Sequence, residues 1–128
     1  MNWETMLVDR LTESGTPLFG LIGDRVYPLD LPQEGTIPAV TYMVVSDPEQ
    51  WGLFGYARVQ LTAWDTTYAG ALAIRDAMRD TLRDYAIAGD RERIEQIDVT
   101  WSGPAGFDPD LGLYWRDIDA IILHIRRH

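Results

Sequence analysis

The sequence predicts an α+β fold, with a mostly antiparallel sheet of about four to five strands and two helices packed on one face. Residues 56–85 change directly from the alternation of a strand to the three-and-four spacing of a helix. The predicted order of elements is helix, strand, strand, strand, helix, strand, strand. With 128 residues, the chain has room for one core. We therefore expect residues 1–128 to form a single domain.

The first predicted element is a helix that begins after Asn2. An asparagine here can accept a hydrogen bond from a free backbone N–H group of the first turn. The apolar residues Trp3, Met6, Leu7 and Leu11 follow at helical spacing. A serine–glycine pair and a proline end the pattern.

Two strands are predicted next, and the second has apolar groups on both faces. The first, Arg25–Pro28, is brief and leads into a proline-containing loop at 29–37. The second covers Ala39–Ser46, with Val40 and Val44 on one face and Met43 on the other. We expect this strand to be central and covered on both sides, or to lend one face to a partner.

The loop at Glu49–Gly55 carries three large apolar side chains where a hairpin tip would normally be polar. They are Trp51, Leu53 and Phe54. Two interpretations remain open. The loop can fold back over one end of the sheet, or it can contact a neighbouring subunit or another partner.

The stretch 56–85 is predicted to hold the central strand and the helix that covers it. Val59, Leu61 and Ala63 share one strand face, and the helix begins where Asp65 or Thr66 can cap it. The apolar stripe of the helix is predicted to lie on the sheet. It consists of Ala71, Ile74, Ala77, Met78, Thr81, Leu82 and Tyr85.

The other face of this helix carries alternating charges. Arg75, Arg79 and Arg83 lie near Asp76 and Asp80, at spacings that give modest ion pairs. We interpret this face as solvated. The alternative is that the arginines pair with acidic residues of another subunit.

Two further strands are predicted in the last third. Ile94–Ser102 alternates, Gly103–Asp110 is interpreted as a loop around Phe107, and Leu113–Ile125 forms the last strand. The face pattern of the last strand requires a bulge near residues 116–117 or burial on both sides. Phe107 is a second candidate for a contact with a partner.

Composition argues against several classes of function. The formal net charge is −9, from 20 acidic and 11 basic residues, so binding to nucleic acid phosphates is disfavoured. The absence of cysteine excludes disulfides, thiolate catalysis and cysteine metal sites. No apolar run has the length of a membrane span, and the N-terminus is acidic where a signal peptide is basic. We expect a soluble protein, made in a cytoplasm, with no membrane partner.

No catalytic, cofactor or metal site is apparent in the sequence. None of the three serines lies in a nucleophile elbow. No residue near His124 in sequence would orient it as a base, so we interpret it as a half-exposed strand residue. Asp108 and Asp110 are too few to form a calcium loop. The sequence therefore predicts no enzyme activity, no cofactor and no metal.

Several segments, in their order and spacing, resemble the tail-completion or tail terminator proteins of long-tailed bacteriophages. After the first helix, these segments are Gly23–Pro28, Leu31–Gly35, Ile37–Tyr42 and Val59–Tyr68, followed by the central helix. By motif the resemblance covers residues 1–85. The last third is similar only in its two strands.

This resemblance implies a structural virion protein without catalytic activity. Such proteins form a ring, usually a hexamer, that caps the tail tube, stops its polymerisation and provides the surface for head attachment. The implied partners are further copies of the chain, the tail tube protein and a neck or head-completion protein, with DNA only passing through the lumen. The implied location is the head–tail junction of the virion, with assembly in the host cytoplasm. The acidic charge is compatible with a lumen that does not hold passing phosphates.

Two other functions remain open at this point. One is another head–tail joining or neck protein of a phage or prophage, and the other is a small α+β ligand-binding domain. For a ring, the candidate interface residues are Trp51, Leu53, Phe54, Phe107, Arg75, Arg79 and Arg83, with the loop around Phe107 expected to face the tube or the neck.

Overall fold

A computed structural model describes residues 2–47, 49–50, 54–83, 85–88 and 92–126. These residues form three helices and one seven-stranded sheet. The helices are α1 Trp3–Leu11, α2 Phe19–Ile22 and α3 Tyr68–Leu82. The strands are β1 Val26–Pro28, β2 Ala39–Ser46, β3 Glu49–Gln50, β4 Phe54–Asp65, β5 Ile87–Ala88, β6 Glu92–Asp108 and β7 Leu113–Arg126.

The sheet has the strand order β1-β2-β4-β7-β6-β5, with β3 paired to β4 off this path. Only β1 and β2 run parallel, and the other pairings are antiparallel. The predicted α+β class with a mostly antiparallel sheet is confirmed. The predicted count of four to five strands is wrong, because β3 and β5 have two residues each and are too short to show any alternation in sequence.

The first helix begins as predicted, but the central helix does not. The Asn2 carboxamide oxygen accepts a hydrogen bond from the Thr5 N–H group at 2.8 Å. For α3 the cap is Thr67, whose hydroxyl accepts from the Gly70 N–H group at 3.0 Å. Asp65, one of the two predicted caps, instead accepts from the next residue's N–H group.

The centre of the sheet is the pair β4 and β7, which fixes the two faces. Their pairing runs without a register shift from Phe54 opposite Ile125 to Asp65 opposite Tyr114. The register shifts lie instead between β6 and β7, one of them between Ser102 and Ala105 of β6. The irregularity that the sequence placed in the last strand therefore belongs to the strand that faces it.

The helices pack on one face of the sheet and enclose the core. On β4 this face consists of Ala57, Val59, Leu61 and Ala63, all fully buried. The predicted stripe of α3 packs on it, since every member from Ala71 to Leu82 is buried. The opposite face carries the alternate residues of β4 and β7 and is called the open face below.

Hydrogen bonds and a ring contact join the two longer helices at one end of the core. The Arg10 guanidinium donates to the Thr81 carbonyl at 2.8 Å and lies 4.7 Å from the centre of the Tyr85 ring. The buried Thr81 hydroxyl accepts from the Leu18 N–H group at 3.3 Å. These contacts fix how α1 and α3 lie on the sheet.

Candidate interaction surfaces

One end of the open face is apolar and exposed. Met43 and Val45 of β2 and Phe54 and Tyr56 of β4 have between 40% and 48% of their surface exposed. The rings of Phe54 and Tyr56 meet edge to face, with centroids 6.0 Å apart. We call these four side chains the apolar patch.

The strand register extends the patch onto β7. Tyr56 lies opposite Leu123, and the next open-face residue of β4, Arg58, lies opposite Ile121. Directly opposed residues of an antiparallel pair share a face, so these half-buried leucine and isoleucine side chains adjoin the patch. Exposed apolar side chains grouped on one sheet face are typical of a contact with another protein.

The middle of the open face is polar and held together by hydrogen bonds. Asp117 is only 6% exposed, and its carboxylate accepts from the Gln60 amide at 2.7 Å and from the Thr62 hydroxyl at 2.6 Å. One residue pair further along, Arg58 and Asp119 form an ion pair at 2.7 Å. This network lies between Tyr56 and the far end of the face, and Met43 lies opposite Gln60 beside it.

The structure describes only part of the aromatic loop that the sequence singled out. Trp51 and Leu53 lie outside the described residues. Phe54 begins β4, is exposed and belongs to the apolar patch. Its role as an interface residue stays a prediction.

Phe107 is exposed as expected, but it lies in a strand and not in a loop. The predicted loop at 103–110 is wrong because β6 continues to Asp108, and only the tight turn before Leu113 is irregular. Gly106 makes this pairing possible: a Cβ atom on it would lie 2.5 Å from the Trp115 ring. Phe107 itself packs against Tyr114, with ring centroids 4.8 Å apart.

The three arginines of α3 differ in their surroundings. The Arg75 side chain is 13% exposed and pairs with Asp76 at 2.7 Å, which also pairs with Arg79 at 3.0 Å. Arg83 follows the last residue of α3 and is exposed. The charged face is thus solvated in part, with Arg75 packed into the surface. Whether any of the three contacts another subunit stays a prediction.

Sequence reasoning missed a buried cluster around His124. This histidine is 7% exposed, so its interpretation as half-exposed is wrong. Its ring stacks on Trp3 at 5.3 Å, and its Nε2 atom lies 2.8 Å from an oxygen of Asp47. The Trp3 indole N–H group donates to the same carboxylate at 3.1 Å. His124 lies two residues after Ile122 and therefore on the same face of β7. This spacing could have predicted that His124 is buried.

A groove lies at the end of the open face opposite the apolar patch. One wall is the loop 30–37 and the other is the turn 108–113 between β6 and β7. Trp64, the last open-face residue of β4, lines it, and the groove has a volume of about 460 Å³. The spacing of residues in the sequence does not predict this groove, because its two walls are more than seventy residues apart in the chain.

Searches for other kinds of site gave negative findings within the described residues. They contain no group of three or more histidine, aspartate or glutamate side chains that could hold a metal ion. In the same part of the chain, none of the helices is both long and apolar enough to cross a membrane.

Comparison with known proteins finds a likeness at the level of the fold. No protein-family model matches the sequence, and no curated protein does. The fold is similar to that of a chain in a solved structure described as the virion of a native gene transfer agent particle. The TM-score is 0.69 at 15% identity, and the match covers 93% of this chain and 91% of that chain. At this identity the likeness shows the fold alone.

Proposed function

We propose that this protein is a structural component of a phage-like virion and acts there as a tail terminator. In this role a ring of copies, six in the family that the sequence resembles, caps the tail tube and offers its free side to the neck. The observation that carries the proposal is the fold likeness to a virion chain over nearly the full length of both chains. The sequence resemblance over residues 1–85 points to the same class of protein.

The proposal includes no enzyme activity. One of the chain's two histidines, His124, is stacked on Trp3 and held by Asp47 inside the fold. These contacts join α1 to the end of β2, and this structural role of His124 supports that part of the proposal. The tail tube, the neck and the neighbouring copies are the partners in this proposal.

The apolar patch supports the ring part of the proposal. In a ring, each copy uses two different surfaces, one for each neighbour. An isolated copy leaves Met43, Phe54 and Tyr56 exposed on the same sheet face, and a neighbouring copy would remove these side chains from water. We assign the patch to one side of the contact between copies.

Electron microscopy of tails assembled with and without the protein tests the function. Tails of uncontrolled length in its absence are the expected result. Tails of normal length that fail to join heads would instead identify a neck protein. A neck protein is the second candidate because the similar structure is described only as a virion, without a position within it. Normal tails joined to heads would contradict both.

Substitution of the patch tests the ring contact separately. Phe54→Ser with Met43→Ser should abolish ring formation and tail capping while the protein stays folded, because both side chains are exposed. The matched control is Leu21→Ser, which removes an equally exposed apolar side chain from α2. Mass measurements and micrographs of capped tails report the outcome, and rings of the double variant equal to wild type would exclude the patch.

A further inference from the structure

The groove at the far end of the open face has an apolar floor and an apolar side chain on each wall. Trp64 is half-buried there, and its indole N–H group donates to the Thr41 hydroxyl at 3.0 Å, which fixes the ring. Ile37 lies on one side and Leu111 on the other, the latter 54% exposed. These apolar side chains face solvent in the isolated chain, and a contact with apolar atoms of a partner would be favourable.

The rim of the groove is acidic. Asp30 and Glu34 stand on one wall and Asp108 on the other, and none of the described lining residues is basic. Within the described part of the chain these three carboxylates form no ion pair. Asp108 Oδ1 accepts hydrogen bonds from the N–H groups of Asp110 and Leu111, which leave its negative charge on the rim. An apolar floor below carboxylates without ion-pair partners complements an apolar side chain that is flanked by positive charge.

The loop that forms this wall is held in an unusual backbone conformation. Leu29 and Glu34 have φ angles of 67° and 61°, in the left-handed region that favours glycine. The backbone of Glu34 therefore carries a conformational cost at this wall of the groove.

We propose that this groove binds a segment of a partner protein that presents an apolar side chain next to arginine or lysine. The apolar side chain covers Trp64, and the cation lies between Glu34 and Asp108 on the rim. This proposal is independent of the tail terminator function, because the groove and its charge belong to the isolated chain.

The test uses three synthetic hexapeptides and the isotope-labelled full chain. One peptide alternates arginine and leucine, the second alternates glutamate and leucine, and the third alternates arginine and serine. Nuclear magnetic resonance follows the indole N–H signal of Trp64 and the backbone signals of Ile37 and Leu111. We expect saturable shifts of these signals with the arginine–leucine peptide only.

Two variants with one control separate charge from fold. Asp30→Asn with Glu34→Gln removes two of the three rim charges, one of them a direct contact of the cation, and should weaken binding about three- to tenfold. Asp9→Asn with Asp80→Asn removes the same charge from exposed positions of α1 and α3 and should leave binding within about twofold. Leu111→Ser should abolish the shifts without unfolding the protein, since its side chain is exposed.

Three outcomes would overturn the proposal. The first is equal binding of the glutamate–leucine peptide, and the second is the absence of saturation up to millimolar arginine–leucine peptide. The third is a shift of the same signals with protein concentration alone, which would identify the groove as a contact between copies of this chain.

Discussion

Tyr42 shows how a single buried side chain links the sheet to α1. It is 7% exposed, and its hydroxyl donates to the Glu4 carboxylate at 3.0 Å. Burial first, and then the hydrogen bond and charge of Glu4, raise the pKa of Tyr42 from 10.0 to about 12. The folded chain therefore holds this phenol neutral over a pH range in which the unfolded chain ionises it.

The raised pKa predicts a loss of stability in alkali. The contribution of the Tyr42 phenol to the free energy of unfolding is complete below pH 10, where the phenol is neutral in both the folded and the unfolded chain. It is lost as the pH rises from 10 to about 12. It amounts to less than about 3 kcal/mol. Denaturant unfolding at pH 8, 10 and 12 should show a shallower decline for Tyr42→Phe than for wild type. Tyr85, whose pKa is also raised by burial, is present in both proteins, so its effect on stability is the same in both and does not alter the comparison. Equal declines would contradict the prediction.

Glu34 allows the strain of the groove loop to be measured. Its φ angle of 61° costs an L residue about 1 kcal/mol, which glycine does not lose. We expect Glu34→Gly to be more stable than Glu34→Ala by about 0.5–1 kcal/mol, against the usual order of these two residues. Both variants lack the carboxylate, so the comparison isolates the backbone. Denaturant midpoints measure the difference, and a more stable alanine variant would show that the loop is unstrained.

The N-cap of α3 lies one or two residues after the positions predicted from the sequence. Thr67 accepts the Gly70 N–H bond, whereas the Thr66 hydroxyl makes only a long contact to Asp65 at 3.4 Å. Thr67→Ala should therefore cost about 1 kcal/mol of unfolding free energy. The matched control Thr66→Ala should cost less than about half of that. Thermal or denaturant unfolding distinguishes the two, and the reverse order would place the cap at Thr66.

The elements that sequence reasoning located are those with long, regular patterns. The predicted bounds of β2, Ala39–Ser46, agree with the structure, and the stripe of α3 is buried as predicted. In both, one repeating spacing decides which residues meet the core. The same logic would have placed His124 inside, because it continues the series of Ile118, Ala120 and Ile122 on the buried face.

The elements that it missed are set by partners distant in sequence. The helix was expected to run to Tyr85, yet α3 ends at Leu82, and Ile87–Ala88 pairs with β6 as β5. The stretch 103–108 contains glycine and proline but forms a strand because Gly106 lets the Trp115 ring lie against the backbone. The groove has the same origin, since its walls come from opposite ends of the chain.

At the scale of the whole molecule, the two ends of the open face differ in polarity and charge. The Phe54 end of β4 is apolar and exposed, while the Asp65 end leads into the acid-rimmed groove. A copy that uses both ends can contact another copy at one end and a different protein at the other, as the proposed ring on a tail would. We assign the apolar end to another copy and the groove to a basic segment of a partner protein.

This assignment predicts how association depends on salt. Each copy carries a formal charge of −9, so copies repel one another, and the proposed contact between them is apolar. Raising the ionic strength from 0.01 M to 0.15 M shortens the screening length from about 30 Å to about 8 Å. Self-association, measured by sedimentation velocity, should therefore strengthen with salt. Phe54→Ser with Met43→Ser should remain monomeric at both ionic strengths, because screening cannot replace the lost apolar contact. Association that weakens with salt would show instead that ion pairs hold the copies together, which would shift the contact to the arginines of α3.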